Sequence, residues 1–231
     1  MINQPFRRDL RLDSRVRRHL TLPGSTPSGR ASDIFEQMFV LGIDPGVSRC
    51  GYGCVRRTGS KLTAEAGGVL TTSPAEPLPE RLATLAEDLE VLIDELHPDV
   101  VVVERVFFQT NARTAMSVGQ ASGLALAAAA RAGCQVAEYT SNEVKQSVAG
   151  YGSAEKYQVQ KMVQILLGLP APPEPPDAAD ALALALCHLR VAPMLAKAAR
   201  AERVLAQGRA RQEEAHPPER SVALHPSRRR P

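Results

Sequence analysis

Two apolar runs in this chain, Met38 to Ile43 and Val100 to Val103, each end on a carboxylate, Asp44 and Glu104. Short uninterrupted runs of Val, Ile and Leu suit strands covered on both faces, so the chain needs a sheet with helices on either side. A carboxylate at the end of such a strand is costly unless something positive meets it. Two further acids, Asp177 and Asp180, open an alanine- and leucine-rich helix just after the proline cluster 170–176. Those four acids are the candidate site.

The remaining elements fit the same architecture. Gly51 to Arg56 and Leu62 to Leu70 read as antiparallel companions of the first strand, linked by turn residues Thr58, Gly59 and Ser60. Leu82, Leu85, Leu89, Leu92, Ile93 and Leu96 recur at helical spacing over Leu78 to Leu96, and His97, Pro98 and Asp99 stop that helix. A second helix over Asn111 to Ala132 closes on Gly133, and Cys134 to Tyr139 is a further strand. Helices follow over Ser141 to Val148, Ala154 to Leu167 and Asp177 to about Arg203. This order predicts an α/β fold: a mixed five-stranded sheet, three meander strands plus two parallel ones, flanked by helices on both faces.

Length and charge set the domain limits. The 231 residues suit one domain with tails. Residues 1–37 carry a net charge of +3, residues 38–196 −5, and residues 197–231 +5. The basic character therefore lies in the ends, and the pI of about 8.8 is weak evidence for nucleic-acid binding. Eight of the core's acids fall between Glu76 and Asp99, consistent with a solvated helix face. Expected limits are a disordered extension over 1–37, a folded domain over 38–203 and a disordered basic tail over 204–231. Met38, just ahead of the first strand, is a candidate functional start.

Several classes are disfavoured. No uninterrupted apolar stretch of about 20 residues is evident, and residues 1–37 lack the apolar segment of a secretory signal, so a cytoplasmic location is expected. Cys50, Cys54, Cys134 and Cys187 form no close-set pair of the kind zinc requires, and read as free thiols.

Two of the four acids, Asp177 and Asp44, have a bland explanation. Asp177 and Asp180 lie three apart, on one helix face, and Asp177 could serve the helix N-terminus. Asp180, a turn further in, is harder to explain as a cap. Asp44 precedes Pro45 and Gly46, so an Asx-turn is available. Glu104 has no such alternative, since the adjacent Arg105 points to the opposite face of a strand. Four carboxylates without a matched histidine suit a hard divalent cation such as Mg²⁺ or Mn²⁺. Two such ions support phosphodiester hydrolysis, activating water and stabilising the leaving 3′ oxygen.

The segments LGIDPGVSRCGYG, VVVERVFFQTNARTAMSVGQASG, VKQSVAGYGSAEKYQVQKMV and PPDAADALALALCH strongly resemble the RuvC family of bacterial Holliday-junction resolvases. The resemblance runs from about Met38 to Arg190. It implies an RNase H-like fold, a homodimer, and symmetric nicking of a four-way DNA junction with two Mg²⁺ (or Mn²⁺) ions per subunit. Matched to the family motifs, the catalytic, metal-binding acids fall on Asp44, Glu104, Asp177 and Asp180. Phe107 matches an aromatic that contacts junction bases, with a core phenylalanine as the alternative; Phe108 is the better core candidate. Lys145 and Lys156 match basic positions along the DNA path, with Arg113 and Lys161 as weaker phosphate contacts. Ala115, Ser117, Gly119, Ala121 and Gly123 would permit close approach across a dimer interface. The family also implies a branch-migration motor partner (RuvA and RuvB). His188, eight residues beyond Asp180, lies too far along a helix to share its ion.

Two other readings compete. GIDPG followed by glycines resembles a phosphate hairpin of actin-like ATPases and sugar kinases, but no second phosphate motif or adenosine-binding glycine pair follows, and the core is too short for two such domains. A non-catalytic junction-binding relative is disfavoured because all four acids are present.

Overall fold

A computed structural model describes residues 37–105 and 112–215 of the chain. The described residues up to Val191 form one unit and those from Ala192 another. The first unit is built on a five-stranded sheet in the order β3-β2-β1-β4-β5. Strands β1 (Gln37–Asp44), β2 (Arg49–Thr58) and β3 (Lys61–Thr71) form an antiparallel meander. Strands β4 (Val100–Glu104) and β5 (Gln135–Tyr139) run parallel to β1. Helices α1 (Leu78–Leu96) and α2 (Ala112–Arg131) connect them; α3 (Ser141–Ala149), α4 (Lys156–Leu167) and α5 (Pro176–Ala215) follow. This is the expected mixed α/β sheet.

Strand alternation divides the core in two. Phe39, Leu41, Ile43, Val101 and Val103 pack with Leu85, Leu89, Ile93, Ala121 and Ala125 of α1 and α2. Met38, Val40, Val100 and Val102 pack on the other face with α3, α4 and Leu182, Leu186 and Leu189 of α5. Uninterrupted valines in β4 are thus explained by burial on both sides. The same alternation aims Asp44 and Glu104, next in phase after Gly42 and Val102, toward the α5 face.

Glycine at Gly42 and Gly51 lets α5 lie directly on the strands. A Cβ at Gly42 would stand 2.0 Å from the Ala181 carbonyl oxygen, and one at Gly51 would stand 2.2 Å from that of Asp177. The small buried residues Ala178, Ala181 and Ala185 complete this close contact from the helix side. Farther along α5, Pro193 carries no N–H, so the Leu189 carbonyl four residues earlier lacks its helical donor. Arg57 of β2 supplies one, its Nη2 donating to the Leu189 oxygen at 2.5 Å.

Three expectations change. The last helix, expected to stop near Arg203, continues to Ala215, so residues 204–215 belong to a helix rather than a disordered tail. The composition supports this: Ala, Arg, Glu and Gln dominate residues 198–215, and all are strong helix formers. Second, Pro176–Ala198 is long and apolar enough to cross a bilayer by composition, with mean hydropathy 1.4 over a stretch interrupted by only a few polar residues. Its burial, 61% of that window, accounts for the apolarity: from 178 to 189 it packs inside the first unit. Third, Ala121, expected at a dimer interface, is buried among core residues instead. Cys50, Cys54 and Cys187 are buried free thiols, and Cys134 is a partly buried one.

Candidate active site

Pairing places the two strand-end acids side by side. Ile43 of β1 is in register with Val103 of β4, so Asp44 and Glu104 leave adjacent parallel strands at the same edge. The carboxyl ends of parallel strands are where open α/β sheets bind ligands. Glu104 in turn is in register with Tyr139 of β5, after which the chain enters α3 directly. Thr140 caps that helix through a reciprocal capping box with Glu143. This junction brings Ser141, Val144 and Lys145 over the strand ends. Asp44, Glu104, Ser141, Lys145, Lys156 and Asp180 line one cavity of about 280 Å³, floored by Val144, Val159, Ala183 and Leu184.

The turn beyond Asp44 is tethered. Thr72 Oγ1 donates to the Val47 carbonyl at 2.6 Å. Arg81 of α1 donates from Nε to Thr72 Oγ1 at 3.0 Å and from Nη2 to Ser48 Oγ at 2.5 Å. The exit of β1 is therefore held by side chains from two other segments.

Carboxylates crowded in this way resist ionisation. Burial first, then the charges of Glu104, Asp180 and Asp177, push the Asp44 carboxyl up to about 7, against an opposing pull from Lys156. Glu104 is also raised, mainly by burial and then by Asp180, while hydrogen bonds to Asp44 and Ser141 and the Lys156 charge oppose the rise. Two cations of the chain offset part of the negative charge. Lys156 Nζ donates to Asp180 Oδ2 at 2.5 Å, and this bond is the largest cause of a raised lysine pKa. Arg49 donates to Asp177 Oδ2 from Nη2 at 2.7 Å and Nε at 3.2 Å, holding that carboxyl below the usual carboxylate range.

The structure brings three of the four expected acids, Asp44, Glu104 and Asp180, to the cavity wall; Asp177 lies in the first turn of α5 outside that lining. Among the described residues, no three His, Cys, Asp or Glu side chains stand ready-made to hold a metal ion. The donor chemistry nevertheless fits a hard cation: all-oxygen ligands, partly buried, with one carboxyl driven toward its neutral form by burial and by its neighbouring carboxylates.

Of the other expected residues, Lys145 and Lys156 line the cavity. Lys161 does not: it lies exposed on α4, donating to Gln164 Oε1 at 2.8 Å. Phe107, Phe108 and the Arg113 side chain fall outside the described residues. Two participants were missed by sequence reasoning. The signal that could have found Ser141 is the Thr140-x-x-Glu143 capping pattern, which fixes where α3 starts. Arg49 gave no local signal, because its partner lies 128 residues away. His188, set aside on spacing, is buried and bonded through Nδ1 to the Tyr139 hydroxyl at 3.1 Å.

Comparison with known proteins points one way. Residues 40–188 match the family model for the crossover junction endodeoxyribonuclease RuvC. The RuvC of Chloroflexus aggregans is 51% identical over 158 residues, covering 68% of this chain and 96% of that protein. That of Natranaerobius thermophilus is 49% identical over 151 residues, covering 65% and 94% respectively. Among solved structures, Thermus thermophilus RuvC in complex with Holliday junction substrate superposes with a TM-score of 0.65 at 41% identity, covering 68% of this chain and 96% of that one. Its fold is the RNase H-like fold of RuvC, with the same mixed sheet flanked by helices. A sheet with two acids at the ends of adjacent parallel strands, matched over most of each relative's length, places this chain in the crossover junction endodeoxyribonuclease RuvC family.

Proposed function

We infer that this protein resolves Holliday junctions, nicking two strands of a four-way DNA junction symmetrically by metal-dependent phosphodiester hydrolysis in recombination and repair. The observation that carries this reading is the shared cavity of Asp44, Glu104 and Asp180, rimmed by Lys145 and Lys156, in a chain of the RuvC family. Asp44, Glu104, Asp177 and Asp180 would hold divalent cations, Mg²⁺ or Mn²⁺, two per subunit. Such ions supply activation of the attacking water and stabilisation of the leaving 3′ oxygen.

The chain's own residues prepare this chemistry. Lys145 and Lys156 attract a DNA phosphate to the cavity mouth and oppose its charge. Ser141 orients Glu104, and the Thr72 and Arg81 tethers hold the turn after Asp44. Phe107 contacts bases, and Arg113 and Lys161 extend the phosphate path. A homodimer supplies two such sites, one for each nicked strand. The exposed edge of α2 suits that contact: Met116, Gly119 and Gly123 lie at helical spacing on one face, and a Cβ on either glycine would meet nothing within 4 Å. The work is done in the cytoplasm beside the branch-migration motor, RuvA and RuvB.

The test is incubation of a synthetic four-way junction with wild type or Asp44→Asn in Mg²⁺ or Mn²⁺. Wild type is expected to give paired symmetric nicks. Asp44→Asn should bind the junction yet nick it at least ~10²-fold more slowly, the scale lost when one charge-handling group is removed. Binding without nicking by wild type refutes the enzyme reading, and full-rate nicking by Asp44→Asn refutes the site assignment.

A further inference from the structure

The four acids are not equivalent in this structure. Asp44, Glu104 and Asp180 share the cavity, whereas Asp177 lies outside its lining with two guanidinium nitrogens on a single oxygen, Oδ2. The arrangement is built into the backbone. Arg49 and Gly51 lie on the same face of β2, and the absent side chain at Gly51 lets the first turn of α5 approach within contact of the strand. Asp177 thereby comes beside Arg49. Arg49 itself begins β2 immediately after the tethered turn, where Arg81 holds Ser48. Its side chain is 52% exposed and makes no other ion pair among the described residues.

We propose that Arg49 is a positioning residue that latches Asp177 outside the cavity and competes with a divalent cation for its carboxylate. This rests on the proposed metal-binding role of the acids. A guanidinium and a divalent ion cannot both take full possession of Oδ2, because their charges repel at contact distance. The cation class that uses Asp177 therefore forms against the charge of the latch, on either carboxylate oxygen, and at higher metal concentration than a class using the cavity acids alone. A half-exposed arginine pair is weak enough to yield, since exposed ion pairs contribute little net free energy. Lysine at this position keeps the charge but loses the planar two-nitrogen grip.

The experiment titrates Mn²⁺ into the full-length, metal-free protein without DNA, by calorimetry and by the electron paramagnetic resonance signal of free Mn²⁺. The Asp177-dependent class is defined as the binding lost in Asp177→Asn. Arg49→Ala is expected to tighten that class about two- to five-fold, an effect of the size of one exposed charge pair. The remaining class should stay within two-fold of wild type. Arg49→Lys should fall between wild type and Arg49→Ala, and adding Arg49→Ala to Asp177→Asn should change nothing further. Unfolding midpoints in chelator, measured in parallel, detect a merely structural effect, which would lower stability and leave the Asp177-dependent affinity unmoved.

Unchanged or weakened binding of that class in Arg49→Ala overturns the latch, as does equal tightening in the Asp177→Asn background. If Asp177→Asn removes no binding while Asp44→Asn does, the latch fails and the three-acid cavity stands. No Mn²⁺ binding by wild type overturns the metal-site reading itself, and the latch with it.

Discussion

Asp44 carries the largest electrostatic cost in the site, and the cost has a pH signature. Its folded pKa, about 7, lies above its unfolded value, so the metal-free fold binds the proton more tightly than the unfolded chain does. That contribution is full below about pH 4 and is lost as pH rises through 7. Asp44→Asn should therefore stabilise the metal-free protein at pH 8 by about 1–3 kcal/mol, the gap closing toward pH 4, while abolishing nicking. His188 works in the opposite sense. Burial lowers it to about 4, so its neutral form contributes stability above pH 6.5 that is lost as pH falls toward 4. In wild type the two slopes oppose each other between pH 4 and 6.5. Unfolding midpoints against pH in chelator should show a steeper acid loss in Asp44→Asn and a steeper alkaline loss in His188→Phe. Parallel profiles in all three proteins would contradict both assignments.

At the scale of the element, α5 is the part on which the site depends. Gly51→Ala would force a methyl group to within 2.2 Å of the Asp177 carbonyl, so the first turn of α5 must shift. The expected cost is about 1–3 kcal/mol, as for other overpacked contacts, with nicking reduced more than junction binding. Equal losses of both would point to general unfolding. The middle of the same helix offers a cleaner measurement. Arg57→Ala removes the donor to the Leu189 carbonyl and should cost about 1–2 kcal/mol. Adding Pro193→Ala restores a helical N–H to that carbonyl and should recover most of the loss, as read by denaturant midpoints. The strands and helices themselves were largely legible: α1 spans the Leu78–Leu96 read from leucine spacing, and β4 adds only Glu104 to the valine run. The end of α5 was not, since a charged, alanine-rich segment without an apolar face resembles a solvated tail as closely as an exposed helix.

For the whole molecule, the proposed symmetric cleavage calls for two sites at a set separation, which the proposed dimer would supply. Gly123 is exposed on α2, away from the buried Ala121 and Ala125. Gly123→Arg should leave the subunit folded and convert the dimer to monomer at micromolar concentration, checked by light scattering coupled to size exclusion. Paired nicks should then give way to rare single ones. A dimer that persists in this variant would place the interface elsewhere.

The amino-acid sequence by itself determined the strand and helix order, the two-sided burial of β1 and β4, and the identity of four acids worth explaining. Each of these depends on local pattern: residue period, apolar runs, and acids where no local partner accounts for them. Tertiary structure alone decided how those acids are shared. Parallel registration of Ile43 with Val103 sets Asp44 beside Glu104, and close seating of α5 at Gly42 brings Asp180 to them. The same seating at Gly51 gives Asp177 to Arg49 instead. Partners separated by 128 residues in the chain leave no trace in spacing or composition, because their meeting depends on how a helix lies across a sheet.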